Sequence, residues 1–359
     1  MKKIRIGLIG LGEVAQLMHI PALNHLQNYF EIKAVSDISP SLIEYIQNRY
    51  HIPYGFDNAK DVIEHDEVDA VIILSPDQLH GQHAKYAIDA QKPVLLEKPA
   101  CLLASEAEEL AHYAKVKQAP VMIGYMRCYT RAFNLAKEHL INFGDITHIR
   151  TFDLQREGPY FFNQVEEPFV PSDLSKNAII EAQKIELQNR EAIIGKDAPD
   201  LLWKCYRVLT GAAIHNFAVL RNLIGSPENV LTASYSKGGE NINAVLDYGN
   251  FTCLYEIVID NIARVDAYVQ VMGEYKDMKL CYDTPYIRNL PTKLILQNSS
   301  EDSNEHIIKG PYYDDPFQKE LLHFYDVIVH HTPIQTPIKD AVLDIQLAEK
   351  ILDKLRTYF

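Results

Sequence analysis

Over the first 125 residues, short and mainly apolar runs alternate with longer stretches of helical spacing. Ile4–Ile9, Ile32–Ser36, Ala70–Leu74, Val94–Leu96 and Val121–Gly124 carry apolar side chains at successive positions, the pattern of strands covered on both faces. Between them, Val14–Gln27, Pro40–Tyr50, Gln82–Ala90 and Ser105–Lys117 place their apolar residues three or four positions apart. Pro40-Ser41 and Ser105-x-x-Glu108 mark two helix starts. Strand–helix alternation of this kind predicts a doubly wound parallel sheet.

Past about residue 145 the pattern changes. Asp145–Gln155, Asn229–Ser236, Ile242–Tyr248, Phe251–Asp260 and Val265–Met272 follow one another as strand-like runs, with turns such as Tyr248-Gly249-Asn250 between them. Closely spaced strands without intervening helices predict a large, mainly antiparallel open sheet. One long helix, Leu201–Leu223, interrupts the series and stops at Gly225-Ser226-Pro227. Two more, Phe317–His330 and Ile338–Tyr358, close the chain. Glu157–Pro199 is polar and fits neither pattern, so it reads as an insertion or lid, and its charged run Lys176–Arg190 as a solvated helix face. The predicted fold is α/β: a doubly wound domain over residues 1–125, then an α+β domain over 126–359.

Composition narrows the function. The 359 residues suffice for two domains with their own cores. With 35 Lys and Arg against 48 Asp and Glu, the chain carries a net charge of −13 and no basic stripe. Such a chain is repelled by phosphate polymers and acidic membrane surfaces, so neither nucleic acid nor membrane is an expected partner. Five scattered cysteines without a CxxC pair fit a reducing compartment. No apolar run approaches the roughly 18–20 residues of a membrane span. The N-terminal apolar stretch is broken by Arg5, Gly7 and Glu13 and makes a poor signal peptide, so a cytoplasmic location is expected. His80 with His83, and His330 with His331, lack Cys or acid partners at ligand spacing, and no metal is expected.

The strand Ile4–Ile9 runs into Gly10-Leu11-Gly12-Glu13-Val14-Ala15 at the opening of a helix. In this G-x-G-x-x-A pattern Gly10 allows the tight turn and Gly12 allows close approach of a pyrophosphate. Ala15 allows close helix–strand packing, and the helix N-terminus supplies N–H groups to the phosphates. Asp37 ends the second predicted strand. A carboxylate there accepts hydrogen bonds from ribose hydroxyls and repels a 2′-phosphate. No arginine follows it until Arg49, which favours NAD over NADP. Read alone, Asp37 has a lesser alternative as a helix-capping or turn acid ahead of Pro40.

The strand Val94–Leu96 leads into Glu97-Lys98-Pro99, which puts a lysine at the end of a parallel strand, where ligands bind in such sheets. With Ser75-Pro76-Asp77-Gln78-Leu79-His80 after the preceding strand and Gly124-Tyr125-Met126-Arg127-Cys128-Tyr129 after the next, the chain resembles the Gfo/Idh/MocA oxidoreductases (glucose–fructose oxidoreductase, inositol dehydrogenase and relatives). The resemblance continues through Phe143-Gly144-Asp145-Ile146 and the helix after Thr336-Pro337, whose residues 336–359 can pack back on the first domain. It implies hydride transfer between a nicotinamide and a hydroxyl-bearing carbon of a sugar, inositol or related polyol, in a homodimer or homotetramer. Gly10, Gly12, Glu13, Val14, Ala15, Asp37, Ser75, Pro76, His80, Glu97 and Lys98 would then hold the cofactor. Lys98 would contact the reacting oxygen, and His215 on the long helix would move the proton. Tyr125, Arg127, Tyr160 and Arg207 are candidates for the substrate pocket.

The second half departs from the family pattern. Gly211 stands where an acid commonly lies four residues before the histidine, Ala218 replaces another acid, and Cys128 holds the usual arginine place with Arg127 preceding it. An imidazole without an orienting carboxylate is a less directed base. Three readings follow: His215 acts with Lys98 alone; Tyr160 or Asp153 has taken the acid–base role; or hydride transfer is lost. The last would leave a non-catalytic dinucleotide-binding regulator. An NAD-assisted lyase or glycosidase is a further alternative. Outside the resemblance His215 reads as an ordinary core histidine.

Overall fold

The computed structural model describes residues 2–358. The chain forms two compact units, one made of Met1–Gly124, Glu166–Lys196 and Phe317–Ile345, the other of Tyr125–Val165, Asp197–Pro316 and Gln346–Phe359.

In the first unit six strands, β1 (Ile4–Ile9), β2 (Phe30–Ser36), β3 (Tyr54–Phe56), β4 (Ala70–Ile73), β5 (Val94–Glu97) and β6 (Val121–Gly124), make one parallel sheet. Their order is β3-β2-β1-β4-β5-β6. The order reverses between β1 and β4, and the crevice beyond the strand ends at that reversal is where such sheets bind ligands. Every residue of β4, β5 and β6 is buried, which accounts for their continuous apolar runs.

Pro40–Tyr50 is a helix with the predicted bounds; Ser39 caps it by accepting from the Leu42 N–H, and Pro40 takes its first position. The other predicted start is displaced. The helix Ala104–Lys117 begins after Leu103 with no side-chain cap, so Ser105 lies inside the first turn. Burial of Leu102 and Ala104 draws that start upstream. The helix after the glycines opens as a π-helical turn, Ala15–His19, before the α-helix Ile20–His25. Near the end of the chain, Thr336 brackets β6: Ile123 N–H donates to its carbonyl at 2.9 Å and its hydroxyl donates to the Ile123 carbonyl at 2.7 Å.

The second unit is built on eight strands: β7 (Ile146–Gln155), β8 (Asn229–Ser236), β9 (Asn241–Asp247), β10 (Thr252–Ile259), β11 (Asp266–Gly273), β12 (Lys276–Tyr282), β13 (Thr292–Ser299) and β14 (Asn304–Tyr312). The order is β14-β13-β12-β11-β7-β10-β9-β8, antiparallel everywhere except the β7–β10 pair. Alternate residues are buried along β9, β10 and β12, so one face of the sheet is core. The predicted long helix comes in three pieces: Asp200–Val208, a π-helical turn Leu209–Ala213, and Ile214–Leu223. Tyr255 of β10 donates its hydroxyl to the Ala213 carbonyl at 2.8 Å, tying that turn to the sheet.

The polar segment 157–199 does not behave as one insertion. Its start, with the short helix Gly158–Phe162, belongs to the second unit, while 166–196, including the helix Lys176–Ile194, belongs to the first. No described helix is long and apolar enough to cross a membrane.

Candidate functional site

The first unit gathers its candidate residues at the carboxyl ends of β1, β2, β4 and β5. Gly10 has φ +90°, and a Cβ there would stand 2.7 Å from the Leu74 carbonyl oxygen and the Ser75 nitrogen. Only glycine allows that approach between neighbouring strand ends. At Gly12 a Cβ would meet no atom within 4 Å, so the loop opens outward where a pyrophosphate would lie. Buried Ala15 packs the helix down, and Glu13 and Val14 lead into it, with Val14 at the N-cap. Burial pushes the Glu13 carboxyl up, which suits a side chain beside an anion site. Asp37 latches the loop: Oδ2 accepts from Leu11 N–H at 2.9 Å and Oδ1 from Ser39 N–H at 3.1 Å. Burial raises its carboxyl more than these bonds lower it. The residues present therefore fit a dinucleotide, with the phosphates at Gly12 and the helix N-terminus and a ribose at Asp37.

Ser75 is buried, with its hydroxyl 2.9 Å from His83 Nδ1; Pro76 after it is exposed and leads into a short turn, Asp77–Leu79. His80 does different work from a cofactor contact. Its ring is buried with Nδ1 2.7 Å from the Pro99 carbonyl oxygen and Nε2 2.7 Å from that of Ser75. Both ring nitrogens are spent on the protein, so His80 positions Ser75 against the cis Lys98–Pro99 peptide. Glu97 is fully engaged as well. Its Oε1 accepts from Nε2 of His19 at 2.8 Å, and Oε2 accepts from the Lys98 N–H at 3.1 Å. Burial alone would raise this carboxyl, but His19 and the Lys98 charge outweigh it and hold it below the ordinary range. Half-buried Lys98 thus leaves β5 on a backbone fixed from the glycine helix.

In the second unit Arg127 is not placed as a substrate residue. It is buried, and its Nη1 donates to Asp153 Oδ2 at 2.7 Å and to Asn216 Oδ1 at 2.8 Å, with the guanidinium over the Tyr282 ring. A guanidinium taken out of water needs such partners. The same pairing consumes Asp153, a candidate replacement acid. Tyr125, just before, is buried too. Tyr160 is exposed beneath the Arg156 guanidinium, 3.6 Å from its ring centroid, and Arg207 lies over Trp203. His215 is half-buried at the first turn after the π-helical segment. Such π turns recur at functional sites. A side chain at Gly211 would meet no atom within 4 Å, so the missing acid is a matter of sequence and not of space.

Reasoning from the sequence missed His19, Gln16 and Asp173, all of which bond to the nucleotide-side loops. His19 and Gln16 were legible only as positions within one turn of the glycine motif. Asp173 had no signal, because its partners lie 132 and 134 positions away.

Comparison with known proteins agrees with this geometry. Residues 4–125 match the model of an oxidoreductase family with an NAD-binding Rossmann fold. The uncharacterized oxidoreductase YrbE of Bacillus subtilis is 29% identical over 136 residues, 38% of this chain and 39% of that protein. An inositol 2-dehydrogenase of Acidothermus cellulolyticus is 30% identical over 164 residues, 44% of this chain and 46% of that enzyme. The chain therefore aligns with less than half the length of these relatives. Among solved structures, a putative NADPH-dependent oxidoreductase of Desulfitobacterium hafniense superposes with a TM-score of 0.78 at 13% identity, covering 100% of this chain and 97% of that one. The apo scyllo-inositol dehydrogenase of Lactobacillus casei gives 0.73 at 17% identity, covering 99% and 97%. At such identities the likeness is one of fold.

Proposed function

We propose that the chain, whose residues 4–125 match the model of an oxidoreductase family with an NAD-binding Rossmann fold, is a Gfo/Idh/MocA oxidoreductase and transfers hydride between NAD and a hydroxyl-bearing carbon of a sugar, inositol or related polyol. The observation that carries the reading is the chain of contacts from the glycine helix to the lysine: His19 holds Glu97, and Glu97 holds the Lys98 backbone at the end of β5.

When bound, the nicotinamide supplies the hydride acceptor or donor. The rest falls to this chain. Gly12 and the helix N-terminus take the pyrophosphate, and Asp37 takes ribose hydroxyls. The Lys98 ammonium stabilises the oxygen as it gains negative charge. His215 exchanges the proton, without a carboxylate at residue 211 to orient it.

The test is turnover of NAD with a panel of polyols and sugars, followed by absorbance of the reduced cofactor. Lys98→Ala is expected to lower kcat by about 100-fold or more while NAD affinity is kept. Activity that survives this change would remove Lys98 from the chemistry. A second reading, a dinucleotide-binding sensor without turnover, is favoured by Gly211, Ala218 and the burial of Arg127 with Asp153. Tight NAD binding with no turnover on any substrate would select it.

A further inference from the structure

Residues 166–174 form a strap whose anchors all lie on the helices of the nucleotide side of the first unit. Gln16 pairs with the Phe169 main chain in both directions: its Nε2 donates to the Phe169 carbonyl at 3.1 Å, and the Phe169 N–H donates to its Oε1 at 2.8 Å. The Phe169 ring stacks on Tyr45, centroids 4.6 Å apart and planes 16° from parallel. Glu166 is paired with Arg49. Asp173 ends the strap on Ser39-Pro40-Ser41. Its Oδ1 accepts from the Ser39 and Ser41 hydroxyls at 2.5 and 2.7 Å, and its Oδ2 accepts from the Ser41 N–H at 2.8 Å.

Those three donors make a seat for an anion. Two hydroxyls and a main-chain N–H converge at the start of the helix Pro40–Tyr50, where the helix dipole also favours negative charge. The seat follows directly after Asp37, the acid placed for the ribose hydroxyls. A phosphate on the ribose 2′ oxygen would need these donors and a nearby cation. Asp173 already occupies the donors, and Glu166 already holds Arg49, the arginine of that helix.

We propose that the strap selects NAD against NADP, with Asp173 sitting in place of the 2′-phosphate; the proposal rests on the dinucleotide reading above. A 2′-phosphate brings about −1.5 to −2 charges at pH 7. To bind, it must expel a carboxylate from three hydrogen bonds and then lie beside Asp37. Bonds from Ser39 and Ser41 hold the Asp173 carboxyl down to about 2, so the group it must expel is ionised at any ordinary pH. An unphosphorylated ribose meets neither cost.

The test is calorimetric titration of the full-length protein with oxidised NAD and with NADP, which needs no substrate. In the wild-type protein NADP should bind at least about tenfold more weakly than NAD, the expected scale for apposed like charges. Asp173→Asn keeps the shape of the strap and removes the charge. It should tighten NADP by about tenfold and change NAD little, with the melting temperature read alongside as a check on folding. Adding Glu166→Gln, which removes the carboxylate charge paired with Arg49, should tighten NADP further. Unchanged NADP affinity in both variants, with NAD binding intact, overturns this inference alone. Wild-type protein that binds neither dinucleotide overturns the proposed function and this inference with it.

Discussion

Arg127 carries its charge inside the second unit, between Asp153 and Asn216. The value of such a pair is best seen by removing one half. Arg127→Met would leave the Asp153 carboxylate, wholly buried, without its counter-ion, and breaking a buried pair in this way costs about 3–5 kcal/mol. Urea unfolding is the measurement. Arg127→Met with Asp153→Asn should recover part of the loss, because the stranded charge is then gone. A single-variant cost under about 1 kcal/mol would mean that water reaches the pair. Sequence reasoning took Arg127 for a substrate residue because a polar residue beside a motif looks the same whether it faces outward or inward. Gly10 was legible for the opposite reason: its positive φ and its backbone neighbours leave no alternative to glycine.

The loop Ser75–Leu79 and the helix His80–Asp89 are held by two histidines that behave differently. His80 faces two carbonyl oxygens, that of Pro99 at Nδ1 and that of Ser75 at Nε2. Burial, and then the charge of His80, push the His83 imidazole down to about 4. In the unfolded chain His83 titrates near 6.5. Between those two values the unfolded state binds the extra proton, so stability falls as pH is lowered through that window and is fully present above it. The loss is about 3 kcal/mol at most, less in proportion to the solvent that reaches the half-buried ring. Unfolding in urea from pH 7 to pH 4.5 would show the slope, and His83→Gln should flatten it. Equal slopes in the two proteins would place the pH dependence elsewhere. At this scale the parallel strands were the most legible elements, because burial on both faces writes a continuous apolar run; β1 and β6 have the predicted bounds. β3 is three residues long, too short for any period to show. β12, β13 and β14 escaped because polar residues such as Lys276, Lys293, Gln297, Asn304 and Glu305 stand at their exposed positions and dilute the alternation.

The chain as a whole carries −13 charges, and this bears on how it can hold a dinucleotide. The membership of 166–196 and 317–345 in the first unit was not readable in the sequence, since side-chain pairing at long separation leaves no period. That membership adds Glu166 and Asp173, and so more negative charge, to the nucleotide side. A site that gripped phosphates with lysine and arginine would weaken steeply as salt screens the attraction. On the proposed reading the phosphate contacts would fall to N–H groups around Gly12 and a helix terminus, within an acidic molecule that repels the ligand at long range. The Debye length shrinks from about 30 Å at 0.01 M salt to about 8 Å at 0.15 M, and over that range the repulsion is the interaction that fades. NAD affinity should therefore stay level or rise as salt increases through this range, measured by titration at constant pH. A fall of about tenfold over the same range would show that cations hold the phosphates after all, with Lys98 the first to be tested by substitution.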